Sequence, residues 1–315
     1  MNIRYILQRL LFALFVVIGV TFVAFMIIQL VPGDPARVSL GVQATDELVE
    51  ARRERLGLNR PVLEQYGSWL VNLSQGNLGY SLITGQPITP QIANRLPVTL
   101  QLAGLSVVIG MIIAFPLGII SALRPGSITD LIASFISQIG IAVPDFWMGI
   151  LLVLLFSTTL GVLPPSGYTP ISRDFGDWLS HMILPAVTAG MISGAIQTRF
   201  VRSAMLEVLG QTYIQTARAK GLHERTVVMR HALRNALITI VTIIGLQITA
   251  LLSSVVVIEI VFSLPGLGQL ALDAVLDRDY SLLQGTVFVI AVLVTIINLL
   301  VDVLYFLLDP RIEYA

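Results

Sequence analysis

The chain's single lysine, Lys220, is the residue on which phosphate chemistry would have to depend. A P-loop ends in glycine, lysine and a hydroxyl residue, so that backbone amides and the lysine ammonium hold the phosphates. Ala219 stands directly before Lys220, where that loop needs glycine. We therefore predict that the chain has no P-loop, no catalytic residue and no cofactor of its own.

Metal and thiol chemistry are also disfavoured by the residue types present. The three histidines, His181, His223 and His231, are scattered and lack the His-Glu-x-x-His spacing of a zinc helix. The chain has no cysteine, which excludes disulfides, thiolate catalysis and cysteine-based metal sites. We predict no metal site.

Gln138, Asp145 and Gln247 lie within or beside long apolar runs. Polar residues at membrane depth mark substrate and ion paths, so these three are candidates for a translocation path. Asp145 also has a second interpretation, which it shares with Glu259, namely that both lie in the outer headgroup region. A proton- or sodium-coupled carrier needs acidic residues near the midplane of the membrane, and none is evident. A stand-alone ion-coupled carrier is therefore disfavoured, but it stays an alternative.

The elements that position these residues are membrane helices. Hydrophobic residues make up 55% of the 315 residues and charged residues 12%, against about 25% charged in a soluble domain. Zero net charge gives no indication of a nucleic-acid partner. Long charge-free runs are typical of spanning helices. We predict an all-α integral membrane protein with six spans, at Leu10–Val31, Thr99–Leu123, Leu131–Leu163, Leu179–Thr198, Ala236–Ile258 and Leu282–Val301.

The run Leu131–Leu163 is too long for one straight span. As a single helix it would extend about 50 Å, whereas the hydrocarbon core of a membrane is about 30 Å thick. Pro144 divides the run, and we interpret it as one broken span. Two spans would place the most basic loop outside the cell, against the rule that Lys and Arg stay in the cytoplasm.

The predicted organisation has three parts. Residues 1–31 form a cytoplasmic N-terminus and a first helix, which prolines and glycine at Val31–Ala36 end. Residues 32–98 form a small extracytoplasmic subdomain. Residues 99–315 form a five-helix core with a basic loop at about 199–235, and both chain termini are expected in the cytoplasm.

Small residues dominate the run Ala186–Ala195. Such runs let membrane helices approach closely, so we predict that this one serves helix packing and does not line a pore.

The basic loop at 199–235 holds seven of the chain's nineteen Lys and Arg residues. Its central stretch, Tyr213–Gly221, predicts a short helix that Gly221 ends. A merely solvated loop does not explain the alternating apolar residues or the alanines Ala217 and Ala219. We predict that this stretch is a docking element for a cytoplasmic partner.

The docking stretch resembles a known motif. Gln215–Gly221, QTARAKG, is similar to the EAA loop of binding-protein-dependent ABC permeases, in which Glu-Ala-Ala, three residues and Gly precede Ile-x-Leu-Pro. The positions that match this pattern are Ala217, Gly221 and Leu233. The positions that depart from it are Gln215, Thr216, His231 and Arg234.

Other stretches narrow the resemblance to one subfamily. VPGDP after the first span, RHALRNAL at Arg230–Leu237, FSLPGLG at Phe262–Gly268 and RDY at Arg278–Tyr280 occur in the expected order. Together they resemble the B-type subunit of oligopeptide and dipeptide importers, in the peptide/nickel permease family.

This resemblance implies the type I importer permease fold, with six spans in a bacterial inner membrane. It also implies a homologous C-type permease subunit, two ABC ATPase subunits that use ATP and Mg²⁺, and an extracytoplasmic solute-binding protein. The implied substrates are di- and oligopeptides, with nickel complexes, glutathione or another small solute as alternatives. An ABC exporter subunit is a further alternative, which the EAA-like loop disfavours.

The resemblance also assigns site residues. The expected ATPase-coupling loop comprises Tyr213, Gln215, Thr216, Ala217, Arg218, Ala219, Lys220, Gly221 and Leu233. Candidate contacts for the binding protein, in the short outer loop Glu259–Ser281, are Glu259, Asp273, Asp277, Arg278 and Asp279.

Overall fold

The computed structural model describes residues 3–30, 34–40 and 44–308, and within them the regular elements are helices. The predicted domain boundary after residue 31 lies outside the described residues. In chain order the helices are α1 Ile3–Leu30, α2 Pro35–Leu40, α3 Asp46–Leu56, α4 Val62–Ser74, α5 Ile88–Leu123, α6 Ile128–Ala142, α7 Asp145–Leu152, α8 Phe175–Leu209, α9 Thr212–Ala219, α10 Glu224–Thr226, α11 Leu233–Val261, α12 Leu267–Leu276 and α13 Tyr280–Leu308. Two π-helical segments, Val153–Thr159 and Val227–Ala232, continue α7 and precede α11.

Five helices of the described residues are long and apolar enough to cross a membrane, and a bent helix pair supplies a sixth span if its halves count as one. The five candidate spans are Leu7–Ile27, Ile88–Leu123, Phe175–Leu209, Ile243–Val261 and Tyr280–Val303. The predicted all-α membrane fold with six spans agrees with this arrangement.

The second span begins earlier than the sequence predicts, because α5 starts at Ile88 and not at Thr99. Ile88 and Ile92 lie one turn apart and are both buried. Burial of this apolar face stabilises the first turns of the helix, where hydropathy alone indicates a polar segment.

The bent pair consists of Ile128–Ala142 and Asp145–Thr159, with an angle of 105° between the halves. Val143 is extended, with a ψ of 126°, because a following proline sterically disfavours the helical conformation. Asp145 is the first residue of α7, where a carboxylate complements the partial positive charge of a helix N-terminus. The break therefore falls where the Pro-Asp pair predicts it.

The chain divides into two compact units, Met1–Val98 with Pro265–Ile296, and Thr99–Leu264 with Ile297–Ala315. The core of the first unit joins the start of α5 to α12 and the start of α13. Its buried apolar residues are Leu78, Ile88, Ile92, Leu267, Leu270, Ala274 and Leu282. Residues late in the chain thus complete the N-terminal unit, a grouping that sequence order does not indicate.

Within the first unit, Tyr66 attaches α4 to α1. Its hydroxyl donates to the carbonyl oxygen of Ile18 at 3.0 Å and lies 3.0 Å from Thr21 Oγ1. Its ring lies 5.3 Å from that of Phe22 and 5.4 Å from that of Phe25, measured between centroids. Aromatic pairs of this kind contribute about 0.5–1.5 kcal/mol beyond their area burial.

In the second unit, small residues let α8 approach α5 closely. A Cβ atom added at Gly190 would lie 2.7 Å from Ile109 Cγ2 and 3.0 Å from the carbonyl oxygen of Ser106. A Cβ added at Gly194 would lie 3.0 Å from the carbonyl oxygen of Gly110. Both glycines belong to the small-residue run, so the predicted role of that run in helix packing is confirmed.

We expect Gly190→Val to lower the free energy of unfolding by about 1–3 kcal/mol or more, because the added methyl groups overlap Ile109 and backbone. The measurement is thermal unfolding of the detergent-purified chain. Gly104→Val is the matched control, since Gly104 is exposed on α5 and its Cβ would have no atom within 4 Å. Equal losses in the two variants would contradict a special role for the α5–α8 contact.

Candidate functional site

The predicted docking stretch forms α9, an eight-residue helix between two spans. α8 ends at Leu209, and Gln211 precedes α9 in an extended conformation. Lys220 and Gly221 follow the helix, and the amide of Gly221 donates to the carbonyl oxygen of Arg218 at 2.9 Å. The short helix and its end at Gly221 are where the sequence places them.

One face of α9 is buried in the core of the second unit. Ile214 is fully buried and Ala217 is 9% exposed. Leu233 is partly buried against the same core. The other buried members of this core come from α5, α8, the π-helical segment and α11: Ala114, Ala122, Val201, Ala204, Met205, Val227, Val228, Ala232, Ala236, Ile240 and Ile244. α9 is therefore anchored on the ends of three spans.

Because they are buried or partly buried, Ala217 and Leu233 do not form the surface that a docked partner would contact. The sequence assigns both residues to the coupling loop together with their neighbours, but the structure turns them towards the protein interior. Helical geometry explains the difference, because residues three apart, such as Ile214 and Ala217, share one face. Both residues support the site from within in this structure.

The opposite face of α9 and the turn after it are open to solvent. The exposed residues there are Tyr213, Gln215, Thr216, Arg218, Ala219, Lys220 and Gly221. They are seven of the nine residues predicted for the loop, and they form one contiguous surface with two cations.

Two polar contacts hold the edges of this surface. The Tyr213 hydroxyl accepts a hydrogen bond from Asn235 Nδ2 at 2.7 Å. Arg218 donates to both carboxylate oxygens of Glu224, from Nη2 at 2.6 Å and from Nε at 3.1 Å. Hydrogen bonding to Arg218 lowers the pKa of Glu224, and hydrogen bonding to Glu224 raises the pKa of Arg218. The pair joins the end of α9 to α10.

We expect Gly221→Val to destabilise the turn after α9 by roughly 1–2 kcal/mol, because Gly221 has a φ of +75° that β-branched residues rarely adopt. A Cβ there would meet no atom within 4 Å, so the cost is conformational and not steric contact. Gly221→Asn is the matched variant, since asparagine tolerates this conformation. Thermal unfolding checks both, and equal losses would contradict the conformational explanation.

An ion pair near this site joins α6 to α8. Arg202 Nε lies 2.7 Å from Asp130 Oδ1, and Arg202 Nη2 lies 2.9 Å from Oδ2. Ser121 donates to the same carboxylate, and the amide of Gly126 donates to it at 2.8 Å. Asp130 is buried, and four donor groups form hydrogen bonds to its carboxylate. This cluster ties the α5–α6 turn to the helix that leads into α9.

The three candidates for a translocation path occupy different environments. Gln138 is exposed on α6, and Asp145 is half-buried at the start of α7. Gln247 is half-buried on α11 and lines a cavity of about 50 Å³ together with Ser193 of α8 and Ser254. No hydrogen bond among the described residues joins any two of the three. The structure does not bring them together as one site.

Sequence reasoning missed Gln197 as a buried polar residue of a span. It is 2% exposed on α8, and its Nε2 donates to Ser193 Oγ at 2.9 Å. Its Oε1 has no hydrogen-bond partner within the described residues. The signal available in the sequence was the spacing of the two residues, since polar side chains four apart share one helix face.

The predicted binding-protein contacts divide into buried and exposed residues. Glu259 is fully buried, and its Oε1 accepts from Thr99 Oγ1 at 2.6 Å. Asp279 is 2% exposed and accepts from the amides of Leu82 and Leu282, each at 3.1 Å. Neither carboxylate is available at the surface of this structure, which corrects the expectation of direct contact.

Helix capping accounts for the burial of Asp279. It immediately precedes α13 and bonds the amide three residues on, as an N-cap aspartate does. Asp273 is half-buried and accepts from Gln269 at 2.8 Å. Asp277 and Arg278 are exposed and stay candidates.

The apolar spans and the anchored polar helix define the chain as a multi-spanning helical membrane protein with an exposed interhelical element. The chain belongs to the family of binding-protein-dependent transport system inner membrane components. The profile of that family matches residues 114–314, and the profile of its N-terminal region matches residues 2–103.

Curated relatives match along almost the whole chain. The oligopeptide transport system permease protein AppB of Bacillus subtilis (strain 168) is 41% identical, over 98% of this chain and 99% of that protein. The dipeptide transport system permease protein DppB of Alkalihalophilus pseudofirmus is 39% identical, over 99% of this chain and 100% of that protein. These matches confirm the predicted resemblance to peptide-importer permeases.

Solved structures support the fold. The MetNI methionine ABC transporter in an inward-facing conformation has a chain with a TM-score of 0.57 and 18% identity, over 70% of this chain and 96% of that chain. A chain of an amino acid ABC transporter has a TM-score of 0.53 and 16% identity, over 71% and 95%. The chain therefore has the fold of importer permeases, as predicted.

Proposed function

We propose that this chain is a permease subunit of an ATP-driven importer of di- and oligopeptides, and that α9 is the element an ATPase subunit binds. The observation that carries the proposal is the two-faced structure of α9. Its buried face is anchored on α5, α8 and α11, and its exposed face, together with the turn after it, presents seven exposed residues. A partner that moves such an element would move the spans with it.

The substrate class is supported by the relatives. AppB and DppB carry names that specify oligopeptide and dipeptide transport, and each is matched over nearly its full length. The amides Gln197 and Gln247 are among the polar residues of the spans. Such groups bind weakly and without strong charge preference, which suits a path for varied peptides.

The proposed assembly contains a homologous C-type permease subunit, two ABC ATPase subunits and an extracytoplasmic solute-binding protein. ATP and Mg²⁺ are bound by the ATPase subunits and not by this chain, in which Ala219 precedes the only lysine. We place the chain in a bacterial inner membrane, with both termini and α9 in the cytoplasm because Lys and Arg residues concentrate there.

Gln247 on α11, which lines a small cavity, stays a predicted path residue in this proposal. Gln138 and Asp145 stay predicted path residues on α6 and α7. Asp273, Asp277 and Arg278 stay predicted contacts for the binding protein.

Reconstitution tests the proposal. The chain is purified from its native membrane by an affinity tag, and its co-purifying subunits are identified by mass spectrometry. We expect an ATPase, a second permease and a binding protein, and we expect the reconstituted assembly to import alanyl-phenylalanine only with ATP. Accumulation of that peptide in liposomes that contain this chain alone, driven by a proton or sodium gradient, would overturn the proposal in favour of a secondary carrier.

A further inference from the structure

The last turns of α13 have one polar and one apolar face. Asn298 is exposed inside the last candidate span. Ile296 and Leu300, two positions before and after it, are 49% and 57% exposed, and residues two apart do not share a helix face. Thr295 and Asp302 lie three positions before Asn298 and four after it, so they share its face. The apolar face suits contact with lipid, whereas an amide surrounded by hydrocarbon is unfavourable unless it is hydrogen-bonded.

A contact from α11 fixes the orientation of the Asn298 amide. The hydroxyl of Thr249 donates to Asn298 Oδ1. The two helices touch nearby, where a Cβ added at Gly245 would overlap Val301. Asn298 Nδ2 forms no hydrogen bond with any part of the chain that the structure describes. Because the side chain is exposed, a molecule outside this chain can reach the two N–H donors of Nδ2.

The exposed face of α11 continues this polar surface. Ala250, Ser253 and Val257 are exposed at spacings of three and four residues, so they lie on one face of the helix. With 3.6 residues per turn, Thr249 and Gln247 lie on either side of that face. Ala250 and Gln247 also line the same small cavity. Polar side chains therefore flank an accessible face on which Ala250 and Ser253 are small.

We propose that Asn298, Thr249 and Ser253 line the translocation path, and that Asn298 Nδ2 donates to main-chain carbonyl oxygens of a passing peptide. The choice of a peptide rests on the proposed function, whereas the path face rests on the exposed polar groups. Polar residues at membrane depth face protein or a water-filled cavity and not lipid. Water is favoured here because Asp302 continues the polar face to the end of the span. Main-chain carbonyls are common to all peptides, so a neutral amide binds them without selecting among side chains.

Thiol labelling of the complete importer in nanodiscs tests the proposal, since this chain has no cysteine of its own. Asn298→Cys and Ser253→Cys are each treated with a trimethylammonium methanethiosulfonate, and labelling of this chain is followed by mass spectrometry. Leu300→Cys is the matched control on the apolar face of α13. We expect both path thiols to react at least tenfold faster than the control. With ATP and the binding protein present, alanyl-phenylalanine should slow both reactions.

Uptake of alanyl-phenylalanine gives a second measurement. We expect Asn298→Leu to lower uptake about tenfold, as the loss of one hydrogen bond predicts, and Leu300→Ala to leave it unchanged. Co-purification of the other subunits and thermal unfolding show that each variant is intact. If Asn298 variants do not fold, Ser253→Cys carries the test, because Ser253 makes no hydrogen bond within the described residues.

Three results would overturn the proposal. Slow labelling in the importer, with fast labelling of the isolated chain, would show that another subunit covers this face. Labelling as slow as that of Leu300→Cys in both preparations would place the face in lipid. Fast labelling that the peptide does not slow, with normal uptake by Asn298→Leu, would show a wet surface outside the path. Absence of ATP-driven uptake by the unmodified importer would instead refute the proposed function, and the labelling rates would still show whether water reaches this face.

Discussion

Replacing Ala219 with glutamate is expected to abolish ATP-driven peptide uptake while the chain stays folded. Ala219 is exposed at the end of α9, so a carboxylate there remains solvated and costs the free chain little. In the proposed complex the same carboxylate is buried against an ATPase subunit, where an unpaired charge is strongly unfavourable. Uptake by reconstituted proteoliposomes should fall by about two orders of magnitude, since each 1.4 kcal/mol changes an equilibrium about tenfold.

The matched control for Ala219→Glu is Ala51→Glu. Ala51 is an exposed alanine on α3 in the other unit, so the same charge is added to a helix that the ATPase does not bind. Ala217 cannot serve in this test, because it is 9% exposed and a charge there would disrupt the core beneath α9. Normal uptake by folded Ala219→Glu would contradict the assignment of α9 as the ATPase contact.

Arg202→Met is expected to lower the free energy of unfolding by about 1–3 kcal/mol, because the buried carboxylate of Asp130 loses its charged partner while Arg202 itself is 31% exposed. Arg202 makes bidentate bonds of 2.7 and 2.9 Å to Asp130. Bidentate pairs of this kind are among the strongest side-chain hydrogen bonds. Without the guanidinium, Asp130 keeps only Ser121 and the Gly126 amide as donors. Thermal unfolding of the purified chain gives the measurement.

Two further variants distinguish the effect of breaking the ion pair from the effect of removing any positive charge. Arg199→Met makes the same substitution on α8 at an exposed residue, and we expect little change in stability. Adding Asp130→Asn to Arg202→Met removes the stranded charge, and we expect this double variant to regain part of the lost stability. Equal stability of Arg202→Met and Arg199→Met would show that the pair does not stabilise the fold.

Local chemistry made several features of the fold predictable. Charge-free runs predict spans because the membrane interior excludes charged groups. Pro144 and Asp145 predict the break between α6 and α7, because proline restricts the residue before it. Gly221 predicts the end of α9, because glycine adopts a positive φ without steric cost. Each of these features depends on a few neighbouring residues.

Which residues are buried and which pair with each other depends on tertiary contacts, which the sequence pattern does not reveal. Ala217 and Ala219 are identical in type and two positions apart, so only the packing of α9 shows which of them is buried. Asp130 and Arg202 are separated by 72 residues, and no local pattern pairs them. Glu259 follows a long apolar run and was expected near the surface. In the structure it is buried and accepts a hydrogen bond from the Thr99 hydroxyl. The candidate site was thus predictable in position, but its buried and exposed faces were not.

The anchoring of α9 affects how genetic screens of this chain should be interpreted. Substitutions at Ile214 or Ala217 and substitutions at Gln215 or Ala219 would all appear as transport-deficient colonies. We expect less protein in the first group, because its core is damaged, and a normal amount of protein in the membrane in the second. The two groups of residues alternate along one helix of eight residues. Measuring the abundance of the protein is therefore needed to distinguish buried residues that support the helix from exposed residues that contact a partner.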